Sequence, residues 1–208
     1  MIMKKIRKKS WKKLEKIGLL VNLNLPLFDL TTLMRSEEDI INRLLCLNAV
    51  VSSSYGLSKD KAIAWLEQEN LKPFLLENET NFLYSSMNEV DIFKTQIEGM
   101  WTLSWCLGLI SNKLVIENKC TNSFVSILPD LKVFASSNNF KKQAELRSTN
   151  KILPIIDYYY CAHWSITAMR YEGMLIPKKI APYIVIGRRM ALEWLFTNDD
   201  WYDISLDT

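Results

Sequence analysis

Three ionisable side chains stand on otherwise apolar helical stripes, and they are the residues of this sequence best placed to do chemistry. Glu98 lies on the stripe of Trp101, Trp105 and Leu109. His163 falls among Ile152, Ile156, Tyr159, Tyr160 and Ile166, and Arg188 among Ile184, Ala191, Leu192 and Leu195. At about 100° per residue, each points inward from its helix. A carboxylate among indole rings has either a partner or a raised pKa. An unpaired buried charge is costly, so all three are expected to be buried and to find one another or other polar groups. One reading is a hydrogen-bonded network that fixes helix register, with a tail carboxylate such as Asp203 folding back to reach Arg188. The other is a pocket in which His163 acts as general base beside Glu98 and Arg188 anchors an anion, as in a small cytosolic hydrolase. Two further pairs follow from helical spacing: Arg43 with Asp39, and an outward-pointing Arg189 with Glu193.

Recognised catalytic signatures are missing. The chain has no Gly-x-Ser-x-Gly, no P-loop, no Gly-x-Gly-x-x-Gly and no His-Glu-x-x-His. Cys161 and His163 cannot form a dyad, because residues two apart do not face each other on a helix. The four cysteines are scattered and there is a single histidine, so the expectation is no metal site and no cofactor. The run Tyr158-Tyr159-Tyr160 reads as packing rather than as a base-stacking platform.

Charge is distributed unevenly. Residues 1–16 carry eight cationic side chains against Glu15, a net of +7; the whole chain is +3, so residues 17–208 carry −4. A mildly acidic body argues against a nucleic-acid-binding core. The basic arm, residues 1–17, reads either as a solvated, frayed terminus or as a contact for an acidic protein partner through Lys8, Lys9, Lys12 and Lys13. Membrane or nucleic-acid contact is restricted to the same arm. Deleting residues 1–16 is expected to leave stability nearly unchanged. The run from Ile17 to Val21 imitates a secretory signal, but Asn22, Asn24 and Pro26 interrupt it. No stretch approaches the roughly 18 apolar residues of a membrane span, and a cytoplasmic location is expected.

The elements that must position these residues are helices. Few glycines and prolines interrupt a chain that is nearly half apolar or aromatic. A short helix over 3–17 and an extended connection over 18–34 precede a helical domain over 35–208. Ser36 caps a helix running to about Ser53 and stopping near Gly56; Ser58 caps the next, which Pro73 closes. Helices follow over Glu77–Met87 and over 91–110. Residues 111–147 are expected to hold loops and a short helix or two. A long helix from Thr149 to Glu172 closes at Gly173, and Pro182 opens a last one running to about Phe196. The fold class is all-α, a single-domain bundle of seven or eight helices.

Certain of these residues also recur in a fixed order. Arg35-Ser36 and Arg43 come first, then Trp65-Leu66 and Phe82-Leu83. Glu98-Gly-Met-Trp101 leads to Trp105-Cys-Leu-Gly108. Asp157, His163-Trp164, Arg170 and Gly173 follow, then Arg188-Arg189 with Trp194, and the ending Asp200-Trp201-Tyr-Asp203 with Asp207-Thr208. The set resembles the bacterial domain-of-unknown-function family numbered 4272 over residues 35–208. The resemblance implies a helical domain whose polar positions are Arg35, Arg43, Glu98, Asp157, His163, Arg188, Asp203 and Asp207. The chain departs from that pattern at Cys161, where an arginine is usual, at Gly187 for a glutamate, and at Tyr202 for an aspartate. Lost charges fit a diverging binding protein better than an active site. The expected function is therefore a non-enzymatic protein-binding module, of the kind that as an immunity protein neutralises a partner toxin.

Overall fold

A computed structural model of the chain describes residues 2–29, 31, 33–85, 90–111 and 113–207. Among these residues there is no strand, and nine α-helices follow in order: α1 (Ile2–Lys16), α2 (Glu37–Ser54), α3 (Lys59–Gln68), α4 (Glu77–Tyr84), α5 (Asp91–Lys94), α6 (Ile97–Cys106), α7 (Asn138–Gln143), α8 (Thr149–Tyr171) and α9 (Pro182–Trp194). Short 3₁₀ turns lie at Lys72–Phe74, Asn122–Ile127 and Leu131–Val133. The all-α class expected from helical periodicity is the class observed. None of the described helices is long and apolar enough to cross a membrane.

The chain forms two compact units, each with its own helices. The first comprises Met1–Met34, Lys113–Lys119 and Arg147–Thr208; the second comprises Arg35–Asn112 and Cys120–Leu146. In the first, α1 and α9 both pack on the long α8. In the second, α2 is the centre, with every residue from Ile40 to Val51 buried and α3 to α6 around it. A helix buried on all sides over three turns belongs in the middle of its unit.

Local chemistry sets the ends. Ser36 opens α2 with a capping box: its hydroxyl accepts the Asp39 N–H at 3.1 Å, and the Asp39 carboxylate accepts the Ser36 N–H at 3.2 Å. Gly173, at φ +66°, closes α8 in a Schellman turn. There the Gly173 N–H donates to Arg170 O at 3.2 Å and the Met174 N–H to Met169 O at 2.7 Å.

Two expectations need correction. The single helix over 91–110 is divided into α5 and α6, because side chains capture the carbonyl that would continue it. Gln96 Nε2 and Thr95 Oγ1 donate to Ile92 O at 2.7 and 2.8 Å. The Gln96 N–H turns instead to Phe93 O at 3.1 Å, a tighter turn than an α-helix. The second correction concerns α1, which is neither frayed nor peripheral: Met3, Arg7, Ser10 and Leu14 are all buried in the first unit. The expected helix end at Met87 and the closing Thr208 lie outside the described residues.

Candidate functional site

Helix α1 has two faces. Met3, Arg7, Ser10 and Leu14 follow one another at three- and four-residue steps and turn toward α8. Lys4, Lys5, Lys8, Lys9, Lys12, Lys13 and Lys16 occupy the opposite half of the cylinder, and all are exposed. At a rise of 1.5 Å per residue, this lysine face is about 18 Å long.

Asp157 of α8 pins the buried face. It is fully enclosed. Its Oδ1 accepts from Arg7 Nε at 2.8 Å and its Oδ2 from Ser10 Oγ at 2.6 Å. The same guanidinium donates from Nη1 to Leu25 O and from Nη2 to Pro26 O, both at 2.7 Å. Arg7 therefore ties α1 to α8 and to the connection after α1. Cys161 lies one helical turn beyond Asp157, and burial pushes its thiol up to about 12. Sequence reasoning missed Arg7 by counting it with the exposed lysines; its spacing from Met3, Ser10 and Leu14 was the available signal.

Arg188 is buried, as expected. Its Nη1 donates to Tyr159 Oη at 2.9 Å and to Val115 O at 3.1 Å, and its Nη2 to Asn118 O at 2.7 Å. Asp203 is exposed, and the neighbouring Arg189 takes acceptors from the tail. Arg189, expected outside, is 3% exposed. Its Nε pairs with Glu193 at 3.2 Å, as helical spacing predicts. Its Nη1 also donates to Leu206 O at 3.0 Å, and its Nη2 to the Asp207 carbonyl at 3.3 Å. The tail folds back because Trp201 is fully buried, edge-on to Trp194 at 5.3 Å. The Asp207 carboxylate accepts from Ser205 Oγ at 2.7 Å.

His163 is half-buried rather than enclosed, and its polar partner is Arg189, which bonds Nδ1. Burial first, then Arg189 and Arg170, push its pKa down to about 4. A guanidinium can only donate, so Nδ1 is the acceptor and the ring proton sits on Nε2. Neither nitrogen then keeps a free lone pair for base chemistry. Tyr160 lies between two guanidiniums, Arg189 at 4.8 Å and Arg7 at 5.6 Å from its ring centroid.

The second unit holds the remaining candidates. Glu98 is buried, and its Oε1 accepts the Cys120 N–H at 2.8 Å. Arg43 pairs with Glu79 of α4 rather than with Asp39, which the capping box occupies. Glu79 is fully buried and also accepts the Leu76 N–H at 3.0 Å, so one carboxylate ties α2 to the start of α4. Arg35 is half-buried. Among the described residues, no group of three or more His, Cys, Asp or Glu side chains could hold a metal ion.

No curated protein and no solved structure matches the chain. One family does, described as a domain of unknown function (DUF4272), and the match spans residues 6–204, from the second turn of α1 into the folded-back tail. Since that span is nearly the whole chain, the protein belongs to the DUF4272 family.

Proposed function

We propose that the protein is a non-enzymatic binding module whose lysine face on α1 docks an acidic protein partner. One observation carries the reading: seven lysines project from a helix whose opposite face is fixed by a buried Arg7–Asp157 pair. Side chains on a pre-positioned helix lose less freedom on binding than those of a frayed terminus. Clustered like charge also raises the rate of encounter with an oppositely charged surface. The engagement of Arg7, Arg188, Arg189, His163 and Glu98 by neighbouring groups supports a structural role for these residues over a catalytic one. As the finer reading, the protein is of the immunity type, its partner a toxin whose acidic working surface α1 covers.

The test is capture from the native cell at low salt, with the variant Lys8→Glu/Lys9→Glu/Lys12→Glu as control. Lys13 is kept because its ammonium sits 5.5 Å from the Tyr158 ring centroid. The expected result is a stoichiometric acidic protein that is released by salt and absent from the variant. Under the finer reading, that protein expressed alone arrests growth. A partner retained equally by the variant, or a nucleic acid in its place, rejects the proposal.

A further inference from the structure

The second unit contains a groove of about 840 Å³ that the lysine face does not involve. Its floor is apolar: Val51, Met100, Phe124, Leu128 and Leu131 line it and are all buried. That volume is in the range of small-molecule sites. Tyr55 and Val125 also line it and are 60% and 73% exposed, so large apolar groups stand at the rim, facing solvent.

Asn48 is a buried polar group within it. The residue is 6% exposed and lines the groove. Its Nδ2 donates to Pro129 O at 3.0 Å, which fixes the orientation of the amide. Its Oδ1 has no hydrogen-bond partner among the described residues, and it is not sealed from solvent. A carbonyl oxygen open at a groove wall can take a donor from a ligand in place of water. At the rim stand Lys61 and Lys132, both exposed and without an ion-pair partner among the described residues. Asp130 is beside them, its Oδ1 accepting the Lys132 N–H at 2.9 Å. Two ammonium groups against one carboxylate leave one positive charge, enough for a single anion.

We propose that this groove binds an N-acyl amino acid or a closely related amphiphile. The linear chain lies on the apolar floor, the amide N–H donates to Asn48 Oδ1, and the carboxylate meets Lys61 and Lys132 at the rim. An apolar floor, an unpartnered acceptor and a net positive rim match those three parts in turn. A neutral hydrocarbon would leave Asn48 and the lysines unused, and a cationic amphiphile would meet two like charges.

The probe is N-dodecanoylglycine, below its micelle concentration, titrated into the full chain. Methyl NMR follows Val51, Met100, Leu128 and Leu131, and fluorescence follows Trp101, which is edge-on to Phe124 at 5.3 Å. Saturable one-to-one binding with a Kd of about 1–100 μM is expected, with shifts at those methyl groups. Dodecanoyloxyacetate, an ester lacking the N–H, should bind about fivefold or more weakly, and neutral N-dodecanoylglycinamide about tenfold more weakly. The rim variant Lys61→Glu/Lys132→Glu should lose affinity for N-dodecanoylglycine yet bind the glycinamide as before, which separates lost charge from lost fold. No saturation, or shifts confined to other methyl groups, overturns the site. Equal affinity for the ester overturns the role of Asn48, and equal affinity for the glycinamide overturns the anionic class. An acetylated leucine-phenylalanine dipeptide amide that binds where N-dodecanoylglycine does not would assign the groove to a protein segment and overturn the proposal as well.

Discussion

At the scale of single residues, the molecule spends its buried charges on joints. Arg7 joins α1, α8 and the connection; Arg43 and Glu79 join α2 to α4; Arg189 joins α9, His163 and the tail. Such joints leave a trace in pH dependence, and His163 is where it can be read. Burial and two nearby guanidiniums bring its pKa from 6.5 to about 4. Between these values the unfolded chain binds a proton that the folded chain does not, so stability falls as pH drops through this window. Below about 4 both states are protonated, and the slope contributed by this residue ends. Urea unfolding midpoints at about pH 7 and about pH 4.5 should therefore differ more in the native sequence than in His163→Gln. Glutamine can still accept from Arg189 but has nothing to titrate. The same loss in both proteins would leave carboxylates as the whole cause and His163 without a pH role. A bonded His163 was predictable from the sequence, and its partner was not: one helical step separates Arg188 from Arg189, and both are buried. Periodicity alone assigns only one of two adjacent residues to the core, and the second was recruited by a tail that folds back over α9.

At the scale of elements, sequence signals located those ends that have a local cause. Ser36 with Asp39, Gly173 with the turn beyond it, and Pro182 each act within a few residues, and each marks a helix end where it was expected. The break between α5 and α6 also has a local cause, but side chains bond backbone carbonyls inside unbroken helices too, as Thr102 and Ser104 do within α6, so these residue types cannot be read as a stop. Gly108 marks an end for a distant reason. It has φ +71°, and a Cβ there would lie 2.9 Å from Glu145 O, a contact that no neighbouring residue announces. Helix α1 was misjudged because Arg7 and Ser10 interrupt the apolar positions of its inner face, so composition read as a solvated arm. The expected effect of removing it is now reversed. Without residues 2–16 the chain loses Met3 and Leu14, both buried, together with the Arg7 and Ser10 partners of Asp157, and breaking a buried pair by removing one partner costs about 3–5 kcal/mol. The truncated chain should show an early, broad thermal transition by circular dichroism, or none. Arg7→Met, which keeps the helix and its length, should lose a large part of the same stability. A truncation that melts with the native chain would mean that the contacts of α1 contribute nothing to holding the fold.

For the whole molecule, the informative quantity is where charge lies. A net of +3 describes no part of this chain: α1 with its flanks carries +7 within 16 residues, and the other 192 carry −4. That asymmetry is legible in the sequence, because it needs only counting. Its consequence was not, because a frayed arm and a fixed helix have the same composition. The lysine face spans about 18 Å, and lysines three or four residues apart on it are about 5–6 Å from one another, within one Debye length at physiological salt, so their fields overlap into one patch. An ion-exchange surface distinguishes such a patch from a diffuse charge. Just above the sequence pI of 8.6 the net charge is near zero, and a protein with evenly mixed charge passes through a sulfonate resin. This chain should be retained there at about pH 9 and low ionic strength, because the lysines of α1 present their charge together on one face. Lys8→Glu/Lys9→Glu/Lys12→Glu should flow through. The native chain should also elute within a narrow range of added salt, since screening acts on all the contacts together. Matched elution of native chain and variant would mean that the seven lysines do not act as one surface, and the reading of α1 as the docking face would fall with it.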